Sequence, residues 1–137
     1  MLQRHICIVD DDKDDIFLMS ASLKRLESKT TIRFKMSAFY SAEDAFSFFS
    51  NPAIDLQDLP DCICLDINMP GTNGLQLLRM LRQMSHLMEI PIYIVSTTKN
   101  QNTHQEAVSS GANGTYAKPD TMLGMQTLQR QLLGIPD

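Results

Sequence analysis

The sequence contains no tryptophan, only 7% aromatic residues and just three cysteines in 137 residues. Cys7, Cys62 and Cys64 are odd in number and sit inside apolar runs. That placement suits neither a disulfide framework nor a zinc site, and it predicts buried, reduced thiols. No apolar run approaches membrane-spanning length, and the N-terminus carries no signal-peptide pattern. A basic excess is missing too: 12 Lys and Arg against 16 Asp and Glu give a net charge of −4. Nucleic acid is therefore a poor direct partner, because phosphate contacts need clustered cations. Low-complexity tracts and internal repeats are also absent. What remains is an ordinary globular composition, expected to form one domain over residues 1–137 and to work in the cytoplasm.

Within that composition, short apolar runs alternate with longer helical patterns. "HICIV" reads as a strand, and after it Ile16, Met19, Leu23 and Leu26 recur at helical spacing. "TIRFKMSAF" alternates Ile32, Phe34 and Met36 with Arg33 and Lys35, a half-exposed strand whose charges suit a sheet edge. Ser41 with Asp44 opens a helix through Phe49, closed by Asn51-Pro52. "DCICLD" is apolar throughout, as a strand buried on both faces should be. Gly74 to about Met88 predicts a helix with Leu77, Leu81, Met84 and Met88 along one side. "PIYIVS" is a fourth strand, residues 103–110 a weaker helix ending at Gly111, "GTYAK" a fifth strand, and Met122–Leu133 the last helix. Five β-α units in series define an α/β protein: a flavodoxin-like, doubly wound, five-stranded parallel sheet, order 2-1-3-4-5, with five helices.

Polar residues follow the strands in a pattern. The first run, "ICIVDDDKDD", passes from strand into five carboxylates, the first two being Asp10 and Asp11. Strand 3 ends at Asp66, strand 4 at Ser96 and Thr97, and strand 5 at Lys118. In open α/β sheets ligands bind at the carboxyl ends of the strands, where the strand order reverses. Strands 1 and 3 flank that point, roughly 5 Å apart, so Asp66 falls within one ion's span of Asp10 and Asp11. Such a cluster cannot ionise cheaply without a cation. Oxygen-only donors point to a hard divalent ion, Mg²⁺ in this setting. An ammonium, a hydroxyl and a metal around one carboxylate describe a site for a phosphoryl group, with Asp66 as nucleophile.

The strings "IVDDD", "CLDINMPGTNG", "IVSTT" and "AKPD" resemble, in order and spacing, the receiver domain of two-component response regulators. Among these the chain is similar to stand-alone, chemotaxis-regulator-like receivers. The stretch "LRQMSHLMEIPIYIVSTT" also resembles single-domain receivers that serve phytochrome-type kinases. The resemblance implies that Asp66 accepts phosphate and that Asp11 ligates Mg²⁺ directly, with Asp10 acting through water. It further implies that the Asn68 main-chain carbonyl completes the metal ligands. Ser96 and Lys118 would contact the phosphoryl oxygens, and a cis Lys118-Pro119 bond would set the direction of the lysine. Such a protein is a signalling phospho-acceptor, not an enzyme acting on other substrates. It has a sensor histidine kinase upstream, no output domain, and signals by protein contact with a downstream target, a phosphorelay partner or a second copy. The homodimer would form through helix 4, strand 5 and helix 5.

The sequence departs from the family three residues before the lysine. The usual aromatic there is Thr115, and Tyr116 one place on belongs to the opposite strand face. That departure supports an alternative, a degenerate receiver used as a constitutive interaction module. A dehalogenase-type phosphohydrolase needs a second Asp two residues after the nucleophile, where this chain has Asn68. An FMN site, which the fold alone would allow, lacks its phosphate-cradling loop. Plainer readings cover the rest. Asp12, Asp14 and Asp15 suit a helix N-terminus, His5, His86 and His104 the surface, and Met80, Met84 and Met88 the core. Thr98 and Asn68 flank the route of hydrolysis implied by the resemblance. Gly71 and Gly74 suit a turn and a helix start, and the loop at residues 51–60 has no role assigned.

Overall fold

The computed structural model describes residues 2–136. The elements in chain order are β1 (Gln3–Val9), α1 (Lys13–Ser28), β2 (Arg33–Phe39), α2 (Ala42–Ser50), β3 (Cys62–Leu65), α3 (Gly74–Arg82), β4 (Ile92–Ser96), α4 (Gln101–Ser109), β5 (Gly114–Ala117) and α5 (Met122–Leu133). All strand pairs are parallel, in the order β2-β1-β3-β4-β5. The expected doubly wound sheet is therefore the observed one. Alternation along β1 divides the core: Cys7 and Val9 pack under α2, α3 and α4, while Ile6 and Ile8 pack under α1 and α5. β3 is buried at every position, as its unbroken apolar run requires. Arg33 and Lys35 lie exposed on β2, which is an edge. All three cysteines are buried free thiols. Among the described residues no helix is long and apolar enough to cross a membrane.

The helix expected from Gly74 to about Met88 is shorter. α3 stops at Arg82, Met84 takes an extended backbone, and a separate 3-10 turn follows at Ser85–Leu87. Side-chain bonds hold the break. Arg82 donates to the carbonyls of Gly111 and Leu87, each at 2.9 Å, and His86 Nε2 meets the Phe49 carbonyl at 2.8 Å. Met80 and Met84 still pack on the core, but Met88 is 65% exposed, so the three do not form one stripe. Ser41 caps α2 by accepting the Asp44 amide, while a reciprocal capping box closes the start of α3 between Asn73 and Gln76. Loop 51–60 contains a 3-10 turn at Leu56–Asp58, and its Ile54 and Leu59 pack on the core.

Candidate functional site

At the carboxyl edge of the sheet, each polar side chain is aimed by the backbone beside it. The Asp10 amide donates to the Phe39 carbonyl and the Asp66 amide to the Val9 carbonyl, extending both ladders by one bond. Asp66 is thus fixed next to the tip of β1. Asp10 Oδ1 accepts the Asp12 amide at 2.9 Å, and Asp12 caps α1 by accepting the amides of Asp14 and Asp15. The turn after β1 therefore separates its acids by task. Asp12 serves the helix, whereas Asp10 faces the site and is 1% exposed. Carboxylate oxygens of Asp10, Asp11 and Asp66 lie within 4.8 Å of one another. Asn68 follows Asp66 and donates its amide to Asp66 Oδ1 at 3.4 Å.

Gly74 makes room for this loop. A Cβ there would stand 2.1 Å from the Asp66 carbonyl oxygen and 2.9 Å from Ile67 Cα, so the start of α3 can press against the backbone that carries Asp66 only without a side chain. Gly71, with φ +73°, supplies the left-handed turn between them.

Lys118 enters from the tip of β5, where its amide donates to the Ser96 carbonyl at 3.1 Å. Its ammonium lies 2.7 Å from Asp10 Oδ2, 2.6 Å from Asp15 Oδ2 and 3.5 Å from Asp66 Oδ2. The Lys118-Pro119 bond is trans, not the expected cis. Trans is the lower-energy isomer even before proline. The carboxylates hold the lysine's direction instead. Burial works to lower the Lys118 pKa, but the hydrogen bonds to Asp10 and Asp15 and the charges of Asp10 and Asp66 outweigh it and hold the group above the ordinary lysine range. Burial pushes the Asp10 carboxyl up, against the lowering effect of its bonds from Lys118 and the Asp12 amide.

Ser96 ends β4 fully buried, its Oγ accepting the Thr98 amide at 3.4 Å. Sequence reasoning missed two residues here. Asp15, read as a plain first-turn acid, pairs with Lys118. The available signal was its place in the first turn of α1, since helical side chains lean toward the N-terminus and so overhang the strand tip. His104, read as a surface residue, is partly buried and its Nε2 meets the Thr98 carbonyl at 2.9 Å, tying α4 to the loop after β4. Thr115 lies beside His104 and Val108 in an open groove between α4 and β5. Tyr116 faces the other way and packs edge-on against Tyr93, ring centroids 5.9 Å apart.

Three carboxylates, Asp10, Asp15 and Asp66, thus face one ammonium, and Asp11 joins Asp10 and Asp66 in a cluster of carboxylate oxygens. That donor set fits a hard divalent cation.

This sheet, with acids at the tips of β1 and β3, a buried serine at that of β4 and a lysine at that of β5, has the architecture of a receiver fold. The chain matches the response regulator receiver domain over residues 6–129 and belongs to that family. It is 30% identical over 131 residues to PilH of Pseudomonas aeruginosa, covering 94% of this chain and 98% of that protein. To the response regulator PleD of Caulobacter vibrioides it is 28% identical over 124 residues, 89% of this chain. The chain spans only 25% of PleD, and 16% of RcaC of Microchaete diplosiphon, which it matches at 27% identity over 83% of its own length. Among solved structures, the Mn²⁺-bound response regulator Rcp1 superposes with a TM-score of 0.82 at 22% identity, covering 98% of this chain and 97% of that one. The phosphorylated cyanobacterial phytochrome response regulator RcpA gives 0.80 at 20% identity, with the same coverage of each chain.

Proposed function

We propose that this receiver accepts a phosphoryl group on Asp66 from the phosphohistidine of a sensor kinase and passes the signal on by protein contact. One observation supports this above the others: Asp10, Asp66 and Lys118, far apart in sequence, meet at the point where strand order reverses. The Asp66 carboxylate attacks phosphorus, the bond to the kinase imidazole breaks, and the electron pair leaves with that ring. Lys118 faces the transferring oxygens with its fixed positive charge, and the Ser96 hydroxyl serves as a second donor. Asp10, Asp11, Asp66 and the main-chain carbonyl of Asn68 would hold Mg²⁺, which when bound supplies positive charge to the same oxygens.

The added dianion draws Ser96 and Lys118 inward and biases the face of α4, β5 and α5 between two states. A downstream protein, a phosphorelay partner or a second copy of the chain then reads that face. The phytochrome-associated neighbour RcpA favours a kinase of that kind upstream. Intact mass after incubation with acetyl phosphate and Mg²⁺ tests the reading. The expected result is one added phosphoryl group, lost in Asp66→Asn and under EDTA. No gain in the wild type would turn the reading toward an interaction module that binds partners unmodified.

A further inference from the structure

We infer that Asp15 is a positioning residue that holds the Lys118 ammonium away from Asp66, favouring metal binding at the acid cluster while slowing phosphoryl uptake. This rests on Asp66 being the phospho-acceptor. An ammonium has three N–H bonds to give. Its short, charge-assisted hydrogen bond runs to Asp15 at 2.6 Å and a close ion pair to Asp10 at 2.7 Å, while the bond to Asp66 is stretched to 3.5 Å, the outer limit of a hydrogen bond. Asp10 and Asp66 come from neighbouring strands and face the sheet edge. Asp15 comes from α1, and its amide is tied to the Asp12 carboxylate, so that turn of helix is fixed in place. The lysine is therefore drawn toward α1.

Two consequences follow, and they have opposite signs. With its ammonium held by Asp15, Lys118 competes less with a divalent cation for the oxygens of Asp66, and the Asp15 charge itself adds to the attraction. A phosphoryl group on Asp66 must draw the ammonium toward itself against the pull of Asp15, and its own charge is repelled by the Asp15 carboxylate. An acid that merely complements the helix N-terminus would do neither. Asp14 occupies the same turn and lies exposed, which makes it the control. The Asp15 side chain is 31% exposed and the Lys118 ammonium keeps Asp10 at 2.7 Å, so Asp15→Asn leaves no buried charge without a partner.

The test pairs two readouts: Mg²⁺ affinity by calorimetry, and the rate of phosphoryl gain from acetyl phosphate at saturating Mg²⁺ by intact mass. Asp15→Asn should bind Mg²⁺ several-fold more weakly and take up phosphoryl several-fold faster. Asp15→Glu, which keeps the charge, should return both toward wild type, and Asp14→Asn should shift each by about twofold at most. Changes of the same sign in the two readouts would overturn the role of Asp15, as would an Asp15→Asn variant indistinguishable from Asp14→Asn, in each case with normal uptake by the wild type. Wild type that gains no phosphoryl group would sink the acceptor reading, and this inference with it.

Discussion

Lys118 is where the charges of the site are balanced. Its side chain is 8% exposed and that of its partner Asp10 2%, so neither can look to water for solvation. Lys118→Met strands the Asp10 carboxylate, and breaking a buried pair from one side costs about 3 kcal/mol. The pH dependence has a definite sign. Burial already raises the Asp10 carboxyl, and loss of the ammonium raises it further. The folded variant then holds a proton at pH values where the unfolded chain has released it, so stability recovers as pH falls. Urea denaturation should show a larger deficit for Lys118→Met at pH 8 than at pH 5. Asp10, Asp11, Asp66 and Lys118 were legible in the sequence because each follows a strand, and strand ends in a parallel sheet share one edge. Asp15 was not, because its partner lies 103 residues away and a first-turn acid already has a sufficient local explanation.

Among the elements, α3 has the tightest relation to the site. Its first residue, Gly74, touches the backbone of Asp66 so closely that Gly74→Ala forces helix and loop apart. Overpacking of that kind costs about 2 kcal/mol. A lower urea midpoint should accompany slower phosphoryl uptake in this variant, whereas Gln76→Ala, which removes only the capping bond from the Asn73 amide, should lower the midpoint and leave uptake unchanged. The start of α3 was readable from Gly74 and the residues around it. Its end was not: the apolar spacing continues past Arg82, and what stops the helix is a set of bonds from Arg82 and His86 to carbonyls in other parts of the chain. Nothing local to the sequence announces them. The same holds for α4, whose weak helical pattern was visible but whose tie through His104 to Thr98 was not.

For the whole molecule, the strand order was the most legible feature. A continuously apolar third strand belongs in the middle of a sheet, and a second strand bearing Arg33 and Lys35 belongs at its edge. Those charges also protect the edge. Lys35→Val would leave a flatter, more apolar β2, and light scattering should detect concentration-dependent association that the wild type does not show. At the far side, the amide of Lys118, one residue past the end of β5, donates to the carbonyl of Ser96, the last paired residue of β4. A serine and a lysine that approach the site from different strands are thus fastened by their main chains at 3.1 Å. In the proposed switch a phosphoryl group would therefore act on one joined unit, since Ser96 and Lys118 share a main-chain hydrogen bond and are not two independent strand tips.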